Sequence, residues 1–179
     1  MTYQDVITFW FEETSPQQWW VKDASFDALL LERFSGLHAR AHQCELYEWR
    51  KAPSGRLAEI IVLDQFSRNM FRDTPQAFAS DPMALALSQE AIACGDDRQL
   101  TPIERSFLYM PFMHSESLQI HEVAVGLFQK NGIESNMDFE LRHKVIIERF
   151  GRYPHRNEIL GRTSTKQELE FLKQPGSSF

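Results

Sequence analysis

The sequence contains little cysteine and no long apolar run, and each shortage excludes a class of protein. Cys44 and Cys94 are the only cysteines, and neither belongs to a CxxC pair, so they make no zinc module by themselves. No apolar stretch approaches the roughly 20 residues that a transmembrane helix needs. The opening residues MTYQDVITFWFEE lack the basic region of a signal peptide. We therefore expect a cytoplasmic protein with reduced thiols and no membrane partner.

Basic charge is also scarce. The chain carries 19 Lys and Arg against 25 Asp and Glu, a formal net charge of −6. An acidic protein repels the phosphates of nucleic acids, so we expect no nucleic-acid partner. Glycine-rich phosphate loops, the G-x-S-x-G elbow and the dinucleotide fingerprint are missing too, and we expect no cofactor and no metal.

The residues that are abundant predict a helical protein. Apolar residues make up 42% and aromatic residues 12% of the 179 residues, which is enough for one domain with a sizeable core. Nearly every segment between turn signals has helical period, and strand signals are nearly absent. The sequence predicts a single all-α domain over residues 1–179, with about eight to ten helices arranged as a bundle or α-solenoid. No regular repeat is readable, so any solenoid is degenerate.

The segment SGRLAEIIVLDQFSRNMF predicts a central, buried helix. It is apolar around nearly its whole circumference between Ile60 and Leu63. Helical spacing then places Asp64 and Arg68 at the end of the apolar stripe, as a pair at i, i+4. Burying charge is costly unless the charge is paired. The pair is either solvated where the helix emerges, or partly buried with one member facing a cavity.

Histidines interrupt several apolar helix faces. His114, His121 and His143 each fall on an apolar stripe, where a lone histidine is most simply a core residue bonded to a neighbour. Together with the charge pair they favour a shared polar cavity. His38 and His42 have a spacing that can bind zinc, but we interpret them as an exposed, solvated pair.

Three long segments resemble those of a known family. They are VLDQFSRNMFRDTPQAFASDPMALAL (62–87), FLYMPFMHSESLQIHE (107–122) and RHKVIIERFGRYPHRNEILGRTSTKQELEFL (142–172). They resemble the hallmark segments of a bacterial family of unknown function with an all-α, tetratricopeptide-repeat-like fold. DVITFWFEE and QQWW are similar to the start of that family, so the resemblance covers essentially the whole chain. It implies a right-handed stack of helical hairpins and no established activity.

The family's polar motifs, LDQF-x-RN, HSE and GR-x-PHRN, have counterparts here. The resemblance carries them onto Asp64, Gln65, Arg68, Asn69, His114, Ser115, Glu116, Arg149, Arg152, His155, Arg156 and Asn157. Two positions depart from the pattern, because Ser67 stands where proline is expected and Tyr153 stands where phenylalanine is expected. Neither departure removes a charged or histidine position.

The carboxyl-terminal part of the chain is basic, unlike the rest. Residues 141–179 carry eight Lys and Arg against four Asp and Glu, a net charge of +4. Within them, GRYPHRNEILGR (151–162) contains a glycine and a proline that end the preceding helix. We predict that this turn folds onto the core near Asp64, Arg68 and His114.

These residues support three hypotheses about function. In the first, a polar Arg/His pocket binds a small anionic ligand, because guanidinium groups suit carboxylate or phosphate. Its ligand-binding residues are Asp64, Gln65, Arg68, Asn69, Arg149, Arg152, His155, Arg156 and Asn157. Such a pocket also suits metal-independent acid–base chemistry of a hydrolase or transferase, with His114, Glu116 and His143 as catalytic residues.

The other two hypotheses need no small-molecule pocket. Helical-repeat proteins commonly present a groove, in which Arg and Asn clamp a peptide backbone or carboxylate. Alternatively, the polar motifs are structural and hold a loop to the core through buried hydrogen bonds. The aromatic residues of TFWF and QQWW are compatible with an oligomer, although terminal aromatics more often close a core.

Overall fold

The structure, a computed structural model, describes residues 1–178, and the prediction of an all-α protein is confirmed. No strand occurs among the described residues. The α-helices are α1 (Tyr3–Thr8), α2 (Ala24–His42), α3 (Pro53–Ile61), α4 (Ser67–Met70), α5 (Asp81–Ala93), α6 (Pro102–Met113), α7 (Leu118–Asn131), α8 (Glu134–Phe150) and α9 (Lys166–Phe171). The right-handed, repeat-like stacking stays a prediction.

Local signals explain where most helices begin and end. Thr101 and Glu104 form the predicted capping box of α6, and Gly151 ends α8 in the left-handed conformation at φ 68°. Asp23 caps α2, because its carboxylate accepts hydrogen bonds from the first-turn amides. The segment SPQQWW forms a turn and not a helix.

A long helix through the middle of the protein positions the polar residues. α3 and α4 are continuous through a π-helical turn, Val62–Phe66, so residues 53–70 form one helix. Side chains from Leu57 to Ser67 are all buried, as the apolar pattern predicts. This helix packs against α1, α2, α5 and α6.

Aromatic residues from the amino terminus close the core around this helix. The Trp10 ring centroid lies 5.5 Å from that of Phe66 and 5.6 Å from that of Phe107. Both neighbours are fully buried or nearly so, and such aromatic contacts add to the free energy gained by burying their area. Within TFWF, Phe9 and Trp10 therefore serve the core, whereas Trp20 of QQWW is exposed.

The carboxyl-terminal half is a sequence of neighbouring helices with a turn laid over them. α6 packs on α7, and α7 packs on α8. The turn after α8 contributes Tyr153 to a small second apolar cluster with Ile146 and Ile147, supported by Phe150 and Phe171. In the part of the chain that the structure describes, no helix combines the length and apolar character that spanning a membrane requires.

Candidate functional site

Asp64 is the centre of a buried polar network. The π-helical turn Val62–Phe66 directs its carboxylate away from solvent, where three donors reach it. Arg68 Nη1 lies 2.9 Å from Oδ1, His114 Nδ1 lies 2.7 Å from Oδ1, and Gln65 Nε2 lies 2.6 Å from Oδ2. Although burial raises the pKa of Asp64, Arg68 and His114 outweigh burial and hold it below its usual range. Asp64 is therefore an ionised acceptor.

Asp81 continues the network from the first turn of α5. Arg68 donates two hydrogen bonds to its carboxylate, Nη1 to Oδ1 and Nη2 to Oδ2, each 2.9 Å long. This fork is the strong, bidentate form of an arginine–carboxylate pair. One guanidinium thus binds two carboxylates, and of the two alternatives for Asp64 and Arg68 the pair is partly buried and not solvated. Asp81 is the first residue of α5, after Ser80 at the N-cap.

Arg156 joins the network from the turn after α8. Its Nη1 lies 3.4 Å from Asp81 Oδ2, and its Nη2 donates to the backbone carbonyl of His114 at 3.1 Å. The guanidinium lies between two rings, with Cζ 4.6 Å from the centroids of both Phe78 and Tyr153. The prediction that the turn folds onto the core near Asp64, Arg68 and His114 is confirmed.

The charge of Arg156 is weakly compensated. The residue is only 5% exposed, and its Nε has no hydrogen-bond partner among the described residues. Burial, with repulsion from Arg68, lowers the pKa of Arg156 to about 10, since the attraction of Asp81 does not fully offset them. The network contains a buried cation with unused donor capacity.

His114 is held by the network at the carboxyl end of α6. Its Nδ1–H donates to Asp64, which fixes the orientation of the ring. In the neutral imidazole the other nitrogen, Nε2, then carries no proton. Burial and Arg68 lower the pKa of His114, so the ring is neutral near pH 7. Its side chain is 12% exposed, whereas that of Asp64 is 1% exposed. The pair is a buried carboxylate behind a histidine that reaches the surface.

Glu116 fastens the turn to the rest of the protein. Its two carboxylate oxygens accept from Arg162 Nη1 and Nη2 at 2.7 and 2.8 Å, and Oε1 also accepts from the Tyr153 amide at 2.7 Å. Asn157 supports the same turn, because its side-chain oxygen accepts from Arg162 Nε at 2.9 Å. These contacts give Glu116 partners other than His114, and a catalytic role for it stays a prediction.

Two of the predicted arginines lie outside the network. Arg152 forms a bidentate pair with Glu168, at 2.7 and 2.9 Å, which holds α9 against the turn. Arg149 is exposed, with Cζ 4.7 Å from the ring centroid of Phe150 and 5.7 Å from that of Phe171. Gln65 belongs to the network through Asp64, and Asn69 lies beside it, where its amide donates to the Gln65 carbonyl at 2.9 Å.

A group of histidines surrounds Tyr153. The ring centroids of His121, His143 and His155 lie 6.3, 5.8 and 5.7 Å from that of Tyr153. His143 Nδ1–H donates to the carbonyl of Phe139 at 2.7 Å, and burial lowers its pKa to about 3. His143 is therefore a neutral core histidine in this geometry, and its catalytic role stays a prediction.

One histidine interpretation was wrong. His38, taken as part of an exposed pair, is buried, and its Nε2 lies 2.7 Å from the hydroxyl of Ser67 on the central helix. Only His42 is exposed. Residues 1–178 contain no group of three or more His, Cys, Asp or Glu side chains placed to hold a metal ion.

The sequence did not indicate Asp81 as a member of the network, nor the contacts of Arg162 with Glu116 and of Glu140 with His121, which lie outside it. Glu140 Oε1 lies 2.7 Å from His121 Nδ1, and both side chains are fully buried. The one available signal was that Asp81 and Arg162 both fall inside the segments that carry the family resemblance.

Comparison with known proteins agrees with the all-α fold. Residues 6–176 match the model of the family described as "Bacterial protein of unknown function (DUF924)". The solved structure of the protein of unknown function ATU0120 from Agrobacterium tumefaciens is 38% identical, covers 96% of both chains and superposes with a TM-score of 0.91. The comparison with curated proteins found no match. The chain therefore belongs to the bacterial DUF924 family.

Proposed function

We propose that the network around Arg156 binds a small anionic ligand. The observation that carries this proposal is the Arg156 guanidinium, which is buried, weakly paired at 3.4 Å and without a hydrogen bond at Nε. A buried charge that is incompletely paired is costly. An anion beside Arg156 supplies a closer negative charge than Asp81 does at 3.4 Å and an acceptor for Nε, so binding it relieves that cost.

Access to the network comes through its partly exposed members. The side chains of His114, Arg68 and Asp81 are 12%, 18% and 17% exposed, so a ligand reaches the network at their shared edge. In this proposal Arg68 and Arg156 contact the anion, while Gln65, Asn69 and Asn157 position the helix and the turn. Arg149, Arg152 and His155 surround the turn and contribute positive potential or polar contacts.

An NMR titration with inorganic phosphate tests the binding site directly. The probe is the Nε–H signal of Arg156 in 15N-labelled protein, which we expect to shift saturably as phosphate is added. Arg156→Lys keeps the charge but removes Nε, so we expect weaker phosphate binding. Arg149→Gln is the matched control, because it removes an exposed arginine outside the network. Equal phosphate binding by wild-type protein and Arg156→Lys would refute the proposal.

A second observation favours acid–base chemistry at the same place. The 2.7 Å hydrogen bond from His114 Nδ1 to Asp64 orients a neutral imidazole whose Nε2 is free to accept a proton. This is the arrangement in which a carboxylate selects the tautomer of a general base. Together with the cations at Arg68 and Arg156, it suits a hydrolase or transferase acting on an anionic substrate, with Glu116 and His143 as further candidates.

A substrate screen with nitrophenyl phosphates and carboxylate esters tests this chemistry. We expect His114→Gln to lower kcat about 10²- to 10⁴-fold for any substrate that is turned over, as loss of a general base does. Asp64→Asn should also lower kcat, because it disturbs the tautomer. Turnover that is unchanged in His114→Gln would remove His114 from the mechanism.

The alternative, a peptide-binding module, has its own supporting observation. A pocket of about 540 Å³ lies beside the turn and combines apolar Leu169 and Leu172 with Arg162 and His155. The apolar part of this lining suits the last residue of a peptide, and the terminal carboxylate would share Arg162 with Glu116 opposite Glu158 of the same lining. A tripeptide ending in leucine, compared with its amidated form, distinguishes the two functions, since only carboxylate recognition makes the amide weaker.

A further inference from the structure

A second pocket lies away from the Arg156 network, where α5, α6 and α7 meet. It has a volume of about 450 Å³, and Ile92 and Leu127 form part of its apolar wall. Three cationic side chains, Arg98, Arg105 and Lys130, also line it. In a protein with a formal charge of −6, three cations at one pocket are a local exception.

These cations lack carboxylate partners. Arg33, Arg50, Arg68, Arg72, Arg152 and Arg162 all form ion pairs with Asp or Glu. In contrast, no ion pair among residues 1–178 includes Arg98, Arg105 or Lys130. Arg105 is nevertheless held in place, because its Nε and Nη2 donate to the backbone carbonyls of Asp97 and Leu100 at 3.0 and 2.9 Å. The pocket therefore contains a fixed guanidinium whose charge no acid neutralises.

The one carboxylate that lines the pocket, that of Asp97, is hydrogen-bonded to a tyrosine of the same lining. Asp97 Oδ2 accepts from the Tyr109 hydroxyl at 2.7 Å. Burial, together with this hydrogen bond, raises the pKa of Tyr109, so the hydroxyl stays protonated and keeps donating. The lining carries three positive charges against one negative charge, and its net charge favours a dianion.

Asn131 lines the same pocket and holds an unused acceptor beneath its surface. Its Nδ2 donates to the Pro102 carbonyl at 2.9 Å and to the Ser106 hydroxyl at 3.0 Å, which fixes the orientation of the amide. The residue is only 8% exposed, and its Oδ1 is buried without a hydrogen-bond partner in the described part of the chain. A buried amide oxygen without a donor carries a cost that a ligand O–H or N–H removes.

We propose that this pocket binds a small organic dianion that also carries a hydroxyl donor. The anionic groups lie against Arg98, Arg105 and Lys130, and the hydroxyl donates to Asn131 Oδ1. The short carbon chain between them packs on Ile92 and Leu127. The site is independent of Arg156 and His114, so the protein has a second binding function whether or not the network binds an anion.

L-malate and succinate are matched probes, because they have the same two carboxylates and only malate carries a hydroxyl. In 15N-labelled protein at constant ionic strength, we expect malate to shift amide signals of residues 97–105 and 127–131 saturably. Succinate should bind more weakly, because it leaves the Asn131 oxygen without a donor. Raising the salt concentration should weaken both, since exposed charges are screened.

Arg98 and Lys130 provide the decisive variants, because both are exposed and neither holds another part of the chain. We expect the double variant Arg98→Gln/Lys130→Gln to weaken malate binding about tenfold. Lys166→Gln, which removes an exposed lysine elsewhere, should change nothing. Absence of saturable binding by malate, or equal binding by the double variant, overturns the proposal. So do shifts confined to residues 153–157, which would place the anion at Arg156.

Discussion

Asp81→Asn is the sharpest test of the buried network, because it changes one charge and almost no volume. In the wild-type protein the two carboxylates of Asp64 and Asp81 balance the guanidinium groups of Arg68 and Arg156. The variant leaves this group with a charge of +1 and replaces a fork of two 2.9 Å bonds with a neutral amide. Breaking a buried pair costs about 3–5 kcal/mol, and the partial exposure of Asp81 favours the lower end, about 3 kcal/mol.

Urea unfolding followed by circular dichroism measures this loss. About 3 kcal/mol corresponds to a fall in Tm of about 6–12 °C for a chain of this length. Asp138→Asn is the matched control, because Asp138 is exposed and outside every ion pair of the described residues, and it should stay within about 0.5 kcal/mol. A loss below about 1 kcal/mol in Asp81→Asn would show that the network does not stabilise the fold.

Four further variants test other parts of the structure. Gly55→Ala should lower the free energy of unfolding by about 1–3 kcal/mol, because the added Cβ meets a backbone carbonyl oxygen at 2.1 Å. In Gly126→Ala the added Cβ meets nothing within 4 Å, so the free energy of unfolding should rise by about 0.5–1 kcal/mol. Urea unfolding measures both glycine variants. The folded pKa of His143, about 3, lies below its ordinary 6.5, so its stabilising contribution is present above pH 6.5 and is lost as the pH falls. Between pH 7 and pH 5, the free energy of unfolding should therefore fall by about 2 kcal/mol less in His143→Gln than in the wild-type protein. An equal fall in both proteins would contradict the lowered pKa of His143. Tyr153→Phe should cost about 1–3 kcal/mol in thermal unfolding, because it removes the donor to a buried carbonyl at 2.6 Å.

The fold and the docking of the turn could be predicted because their signals are local. The Thr101–Glu104 capping box and the glycine at position 151 each act within one turn of helix. Gly151 and Pro154 force the chain to bend after α8, and the bend directs the basic turn back over the apolar face of that helix, which carries His143. Short-range patterns of this kind are readable from one sequence.

The missed contacts all join residues that are distant in the chain. Asp81 and Arg156 are separated by 75 positions, and His38 and Ser67 by 29. Asp81 stands at the first position of a helix, where an acidic residue is common, and nothing nearby in the sequence indicates an arginine partner. Which of several possible carboxylates pairs with a given arginine depends on tertiary packing, so a single sequence predicts the polar cluster but not its pairs.

The π-helical turn Val62–Phe66 makes the polar network sensitive to the number of residues in the central helix. A π turn holds an additional residue relative to an α turn, so deleting one residue there allows a regular α-helix to form. Each residue of an α-helix rotates its successors by about 100°. The extra residue is absorbed inside the π turn, so the deletion would leave Arg68 in nearly its present register and would move Asp64, within the turn, away from Arg68 and His114. We expect point substitutions at the partly exposed residues 53, 54 and 56 of this helix to be tolerated far better than any insertion or deletion between residues 62 and 68.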